Sequence, residues 1–187
     1  MSFVIRFLMN FLSDLGHRLG LYRIFLRGLA AALGVWLLIG PAHAACTDPP
    51  GPNVNWQRCN LDGLDLSSVD LTDARIRDGS FFRSTLNDAN LTGASGFRAK
   101  FVNAVMRGTR LDNAKLDEAD FTKAELVDAS LIGADLRRAR LFRSDLRGAD
   151  LTGARLLGAD LTRADLSGAT WTDGQRVCAE GSIGRCN

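Results

Sequence analysis

The sequence predicts an all-β protein whose chain turns a corner every five residues and closes a square coil of 20 residues. Large apolar residues recur at every fifth position from Leu61 to Trp171, and 16 of these 23 positions are leucine. Small residues recur two positions ahead of each, and 16 of the 22 positions from Leu64 to Ala169 are alanine. Most of the positions between carry Asp, Asn, Ser, Thr, Arg, Lys or Gly, as expected for an outer surface.

A period of five excludes an isolated helix and a flat sheet. A helix advances by about 500° over five residues and would spread the leucines around its whole surface. A strand alternates its side chains, so successive leucines would point to opposite faces. A corner at every repeat points each leucine to one common axis, with alanine small enough to fit beside it.

The repeats "ADLTRADLSGA" (159–169) and "DANLTGA" (88–94) resemble the pentapeptide-repeat family, whose pattern is A-[D/N]-L-x-x. The resemblance implies a right-handed quadrilateral parallel β-helix of about six coils. Coils of this kind stack at about 4.8 Å. Solenoids need caps at both ends. We therefore divide the chain into an N-terminal cap with a proline-rich lead-in (45–60), the β-helix (61–171) and a C-terminal cap (172–187).

Residues 20 apart stack in one column of such a rod. Phe81, Phe101 and Phe121 share a column, which predicts a ladder of aromatic rings. Gly96 is the exception among the core positions, and an unfilled site there would be costly. We expect Phe97 or Phe101 to fill it.

Residues 1–44 have the order of a secretory signal peptide, with cleavage expected between Ala44 and Ala45. Its apolar run "GLAAALGVWLLIG" is shorter than the roughly 20 residues that span a bilayer. The protein is thus expected in the periplasm or secreted, with no membrane span after cleavage. A translation start at Met9 and an uncleaved anchor remain alternatives.

The four cysteines lie in two groups, one near each end of the predicted rod: Cys46 with Cys59, and Cys178 with Cys186. A disulfide needs α-carbons within about 7 Å, so only pairing within each group is reasonable. The spacings do not resemble those of zinc sites. We expect two disulfides and no metal.

Catalysis is not expected. Histidine, the usual base for a serine or cysteine nucleophile, is absent after Ala44. No glycine-rich phosphate loop is present, and no cofactor is expected. A glycosidase-like carboxylate pair remains the enzymatic alternative. However, the candidate aspartates all occupy one repeat position and are explained as turn-capping, solvated residues: Asp135, Asp145, Asp150, Asp160 and Asp165.

The surface contains two stacked charge columns. We call Arg83, Asn103, Lys123, Arg143 and Arg163 the basic column, and Glu125, Asp145 and Asp165 the acidic column. Mutual compensation of the two columns is the first interpretation, and a partner-binding strip is the second. Arginines of "RRARLFRSDLR" can share a further edge that docks on an anionic surface: Arg137, Arg138 and Arg140.

The composition favours a binding module. Residues 45–187 carry 19 basic and 20 acidic side chains, so nucleic acid is not an expected partner. We expect a non-catalytic, structural or protein-interaction module of the periplasm or envelope, as a monomer. The resemblance implies one alternative, because some pentapeptide-repeat proteins mimic DNA, bind gyrase and protect it from quinolones. Those relatives are cytoplasmic and acidic, unlike this chain.

Overall fold

A computed structural model describes Cys46–Asn187. Every fifth residue from Asn55 to Asp150 forms a parallel bridge to the residue 20 positions later. The chain therefore rises by one coil every 20 residues and completes nearly six coils. No helix occurs between Cys46 and Asn187. The predicted right-handed quadrilateral β-helix is confirmed.

Single bridge residues rather than longer strands form the four walls of the rod. The first wall contains Asn55, Arg75, Ser95, Lys115, Asp135 and Arg155. The second contains Asn60, Ser80, Lys100, Asp120, Arg140 and Asp160. The third contains Asp65, Thr85, Val105, Glu125, Asp145 and Asp165. The fourth contains Asp70, Asn90, Arg110, Ser130, Asp150 and Thr170.

The β-helix begins earlier than the predicted start at Leu61. Asn55 and Asn60 already bridge to the second coil, and Trp56 is 2% exposed in the core. Tryptophan and cysteine replace leucine and alanine in this segment, which hid its repeat frame. The N-terminal cap is accordingly shorter than residues 45–60.

Each corner is a four-residue turn. The N–H of the inward small residue donates to the carbonyl of the preceding large residue, as from Ala94 to Leu91 at 3.0 Å. The third turn residue has a positive φ at every corner from Asn53 to Gly168, the geometry of a type II turn. Many of these residues are not glycine, including Arg143 at φ 57°. A left-handed conformation costs a residue with a Cβ about 1–2 kcal/mol, so these corners are strained.

Leucine, alanine and phenylalanine fill the interior. The rings of Phe81, Phe101 and Phe121 are fully buried and stack with centroids 4.9 Å apart at each step. The predicted aromatic ladder is therefore present, and its spacing gives the rise of one coil.

The prediction for Gly96 was wrong. Neither Phe97 nor Phe101 fills the site, because Phe101 stays in its ladder and Phe97 lies half-buried between two arginines. The guanidinium carbons of Arg77 and Arg98 lie 4.6 and 4.9 Å from the Phe97 ring. The neighbours above and below in the column fill the space. A Cβ on Gly96 would lie 2.9 Å from Leu116 Cδ2 and 3.4 Å from Ile76 Cδ1.

This packing predicts that restoring the consensus leucine at position 96 destabilises the protein, although the repeat pattern would favour it. Gly96→Leu restores the consensus residue but overpacks the column, and we expect it to lower the free energy of unfolding by about 1–3 kcal/mol. Gly96→Ala should be nearly neutral, because the contacting Cδ2 of Leu116 is the end of a flexible side chain. Urea denaturation measures both variants. A Gly96→Leu protein more stable than the parent would show an empty site instead.

Disulfides join Cys46 to Cys59 and Cys178 to Cys186, the connectivity expected from the sequence. The C-terminal tail folds back on the last coil through antiparallel bridges from Asp165 to Ile183 and from Thr170 to Val177. It covers the third and fourth walls, whereas the core residues Leu156 and Leu161 beside the other two walls are only partly buried. The C-terminal cap therefore closes only part of this end.

Candidate functional site

The wall aspartates serve the fold as predicted, by accepting hydrogen bonds from the next corner. Asp70 Oδ1 accepts the Thr72 N–H at 3.0 Å and the Thr72 hydroxyl at 2.5 Å. Ser67 donates to Asp65 in the same way, at 3.0 and 2.6 Å. The backbone bond recurs at several other aspartates: Asp120, Asp135, Asp145, Asp150, Asp160 and Asp165. Each carboxylate thus has a structural task at its own turn.

These bonds lower the pKa of the carboxyls involved. The Ser67 and Thr72 hydroxyls lower the pKa of Asp65 and Asp70, and the Thr162 hydroxyl lowers that of Asp160. A hydrogen bond from Arg137 lowers the pKa of Asp135, and one from Arg147 lowers that of Asp145. No pair of these groups combines a raised and a lowered pKa, as glycosidase carboxylates do.

We therefore expect the rod to lose stability in acid. A carboxyl with a lowered pKa in the folded state stabilises the fold above its unfolded pKa of about 4, and the benefit disappears as pH falls through the folded pKa. The urea midpoint should be flat from about pH 5 to 7 and fall below about pH 4. Asp70→Asn is the control, since an asparagine at the equivalent position one coil later, Asn90, accepts the equivalent backbone bond from Thr92 N–H. It should weaken the acid dependence. An unchanged midpoint at low pH would contradict the account.

Histidine and clustered metal-ligating residues are absent from the described walls. No histidine lies between Cys46 and Asn187. In that part of the chain, no group of three or more His, Cys, Asp or Glu residues is placed to hold a metal ion. The same residues include no helix long and apolar enough to cross a membrane.

The arginine cluster predicted to dock on an anionic surface, Arg137, Arg138 and Arg140, has its positive charge compensated by acidic neighbours. Arg137 makes a two-bond pair with Asp135, at 2.7 Å from Nε and 2.6 Å from Nη2. Arg138 Nη2 lies 2.7 Å from Asp117, and its Nε lies 3.3 Å from Glu118. Arg140 Nη1 lies 3.5 Å from Asp120 in the coil below. Asp135 in the same coil and acidic residues one coil below thus compensate the charge of this cluster, which argues against its docking on an anionic surface.

The predicted compensation between the basic and acidic columns is also wrong. Glu125 pairs with Arg107 at 2.6 Å, and Asp145 pairs with Arg147 at 2.6 Å. Asp165 lies 4.0 Å from Arg147. Asp145 and Asp165 do not pair with the basic column because each accepts a backbone hydrogen bond from the following corner. Their carboxylates are thereby directed away from the preceding corner, where the basic column lies.

The basic column is left without acidic partners. Four cations of this column are exposed, and none forms an ion pair within 4.0 Å among the described residues: Arg83, Lys123, Arg143 and Arg163. Every cation lies at the third position of a turn, with φ between 55° and 61°. One corner of the rod therefore carries an uncompensated row of positive charge.

Sequence reasoning missed a second column beside it. The aromatic column, one position earlier in each turn, consists of Phe82, Val102, Thr122, Phe142 and Thr162. Phe82 is 36% exposed, and the Arg83 guanidinium lies 4.9 Å from its ring centroid. Arg143 lies 5.2 Å from the Phe142 ring in the same way. Extending the 20-residue register to this turn position would have revealed it. We call the two columns together the basic edge.

Comparison with known proteins agrees with the fold. The model of the family described as pentapeptide repeats matches eight copies, at residues 52–78, 80–113, 104–141 and 139–170. No curated protein matches the chain. Among solved structures, the chain is similar to HetL, a pentapeptide repeat protein involved in heterocyst differentiation regulation from the cyanobacterium Nostoc sp. strain PCC 7120. The two share 30% identity at a TM-score of 0.50, over 66% of this chain and 64% of HetL.

Two further solved structures are more distant in shape. QnrB1, a plasmid-mediated fluoroquinolone resistance protein, is 25% identical over 63% of this chain and 63% of its own, at a TM-score of 0.40. Rfr23, from the cyanobacterium Cyanothece 51142, is 25% identical over 63% of this chain and 90% of its own, at a TM-score of 0.31. The chain thus spans less than two thirds of HetL and of QnrB1. On the repeats matched over most of its length, it belongs to the family of pentapeptide-repeat proteins.

Proposed function

We propose that this protein is an exported, non-catalytic interaction module of the periplasm or cell envelope that binds a partner protein through its basic edge. The observation that carries the proposal is the unpaired row of Arg83, Lys123, Arg143 and Arg163, because these four cations share one corner of the rod. The other exposed cations without an ion pair among the described residues are spread over another corner, two walls and the tail: Arg58, Arg75, Lys100, Lys115 and Arg185. Exposed charge held without a partner suits recognition better than stability.

The cysteine pairs support export. Disulfides form and persist in oxidising compartments such as the periplasm. Both pairs have the geometry of a disulfide and lie at the two ends of the coil, with α-carbons 5.4 and 4.8 Å apart. The predicted signal peptide, residues 1–44 with cleavage after Ala44, lies outside the described residues and is part of this proposal.

The roles of the wall residues support a non-catalytic module. The aspartates that resemble a catalytic pair accept bonds from their own turns, as Asp145 does from Arg147. The core of the described rod is filled by buried leucine, alanine and phenylalanine side chains. Mimicry of DNA, as in gyrase-binding relatives, is disfavoured because the basic column presents the wrong sign of charge.

Photocrosslinking from matched corner positions tests the binding edge. A photoreactive amino acid replaces Asn103 on the basic edge, or Asn113 on a different corner. Both asparagines occupy the third turn position, with φ 54° and 56°. In cells, we expect a discrete envelope protein adduct from position 103 and none from 113. Equal adduct patterns, or no adduct from position 103, would contradict the proposal.

A further inference from the structure

We propose that the partner presents an acidic amphipathic helix, which lies along the basic edge parallel to the rod axis. This inference rests on the proposed function, because it names the element of the partner protein that the edge binds. It follows from the spacing of the cations, from the aromatic column beside them and from the rigidity of the corner.

The rise of one coil is close to the pitch of an α-helix. Successive coils are 4.9 Å apart, as the ring centroids of Phe81 and Phe101 show. A helix rises about 5.4 Å per turn, and residues three or four apart lie on one face. One carboxylate per helical turn can therefore meet one cation per coil. Between Lys123 and Arg163 the mismatch accumulates to only about 1 Å, which long side chains can absorb.

Other linear anions fit this row less well. Side chains on one face of an extended strand repeat at about 6.6–6.8 Å, and phosphates along one DNA strand repeat at about 3.4 Å. Either partner leaves register with the cations after one or two coils. Of these three spacings, that of the helix best keeps Lys123, Arg143 and Arg163 opposite consecutive anions.

The aromatic column provides the apolar half of the site. Phe82, Val102 and Phe142 lie one turn position before Arg83, Asn103 and Arg143, so apolar side chains flank three of the five coils of the charged row, and Thr122 and Thr162 flank the other two. An amphipathic helix presents the same pair of neighbouring stripes, one apolar and one charged. Asn103 interrupts the cations, so the coil that contains it requires no carboxylate from the partner.

The edge is ordered before binding. Arg83 and Arg143 are held over phenylalanine rings at 4.9 and 5.2 Å, which limits the rotamers they lose when a partner arrives. The backbone beneath them is fixed by bonds between coils, as from Arg143 N–H to the Thr162 carbonyl at 3.1 Å. A preordered site loses less entropy on binding.

A striped peptide and a matched composition control test the inference. The probe is a labelled helical peptide of about five turns, with one glutamate per turn on one face and leucine on the adjacent stripe. The control peptide has the same composition with the glutamates spread around the helix. The protein is residues 45–187 in oxidised form, because the described unit has its own core, both disulfides and every bridge.

Two sets of glycine substitutions provide the protein controls. The test variant is R83G/K123G/R143G/R163G, which removes the cations at positions where glycine relieves a positive φ. The matched variant is R98G/R138G, at the same turn position of another corner, where each arginine is paired with Glu118. Thermal melting checks that both variants remain folded.

We expect the striped peptide to bind at least about tenfold more tightly than the control peptide, with affinity falling as salt rises. The test variant should bind the striped peptide at least about tenfold more weakly than the parent does, and the matched variant should bind it like the parent. Equal binding of the two peptides, binding unaffected by the test variant, or binding of anionic lipid vesicles or a single-stranded oligonucleotide in preference to the peptide would overturn the inference. If position 103 still crosslinks a partner protein in those cases, the proposed function stands without the helix.

Discussion

Replacing Phe101 with alanine is expected to lower the free energy of unfolding by about 3–5 kcal/mol. Phe101 is fully buried and stacks on Phe81 and Phe121 at 4.9 Å on each side. Removing the middle ring leaves a cavity and breaks both ring contacts, and bridges above and below hold the coils too firmly for the site to collapse. Core truncations of this size rank among the most destabilising single substitutions.

Urea denaturation of the oxidised protein measures this effect. Phe101→Leu is the first control, since leucine occupies most equivalent positions; it keeps most of the buried side chain, loses only the ring contacts, and should cost clearly less than Phe101→Ala. Phe142→Ala is the second control, because it removes a half-buried ring from the surface and should cost much less. A Phe101→Ala protein as stable as Phe142→Ala would mean that the ladder adds nothing to the core.

Removing the C-terminal disulfide is expected to lower the free energy of unfolding by about 2–3 kcal/mol. The bond between Cys178 and Cys186 closes a short loop of sequence separation 8, so the gain from restricting the unfolded chain is modest. Its position adds to the effect. The tail that it closes covers Leu166 and Ala169, both fully buried at the end of the rod.

The double variant C178S/C186S, compared with the parent in oxidising buffer, measures this contribution. We expect hydrogen exchange to rise first in the last coil, near Leu166, and to remain slow around Phe101 in the middle. The corresponding variant C46S/C59S is the matched control, because it should loosen the first coil and leave Leu166 protected. Uniform loss of protection along the rod would contradict the idea that each disulfide closes its own end.

The repeat made most of the fold predictable. Once the period of five fixed the inward positions, the 20-residue register placed Phe81, Phe101 and Phe121 in one column without any coordinates. The cysteine pairing followed because the two groups lie at opposite ends of the rod. The start of the coil was missed at Trp56, where the residue types depart from the leucine and alanine pattern.

The packing at Gly96 was not predictable from the register alone. The register identifies vertical neighbours, but it does not say how far a neighbouring side chain bends along the axis. Ile76 and Leu116 reach into the space from below and above. Phe97 was a poor candidate because its turn position points outward, where Arg77 and Arg98 cover it.

The charged surface was predicted in part. Sequence reasoning found the basic column, because its members share one register position. It paired that column with the wrong acids, because the direction of a carboxylate such as Asp145 depends on the turn bond that it accepts. It also missed Asp117 and Glu118, which lie one coil below Arg138 and neutralise it. To predict ion pairs between coils, the 20-residue register must be applied to every position, including both turn residues.

The intact mass of the protein recovered from the cell envelope, with and without reduction, tests the central claim of export most directly. Export predicts a chain that begins at Ala45 and weighs four hydrogens less than its reduced form, because both disulfides are closed. That result would mean that the basic edge meets its partner in the cell envelope, and the search for the helical partner would be made there. A full-length, fully reduced chain recovered from the cytoplasm would contradict export and the envelope partner together.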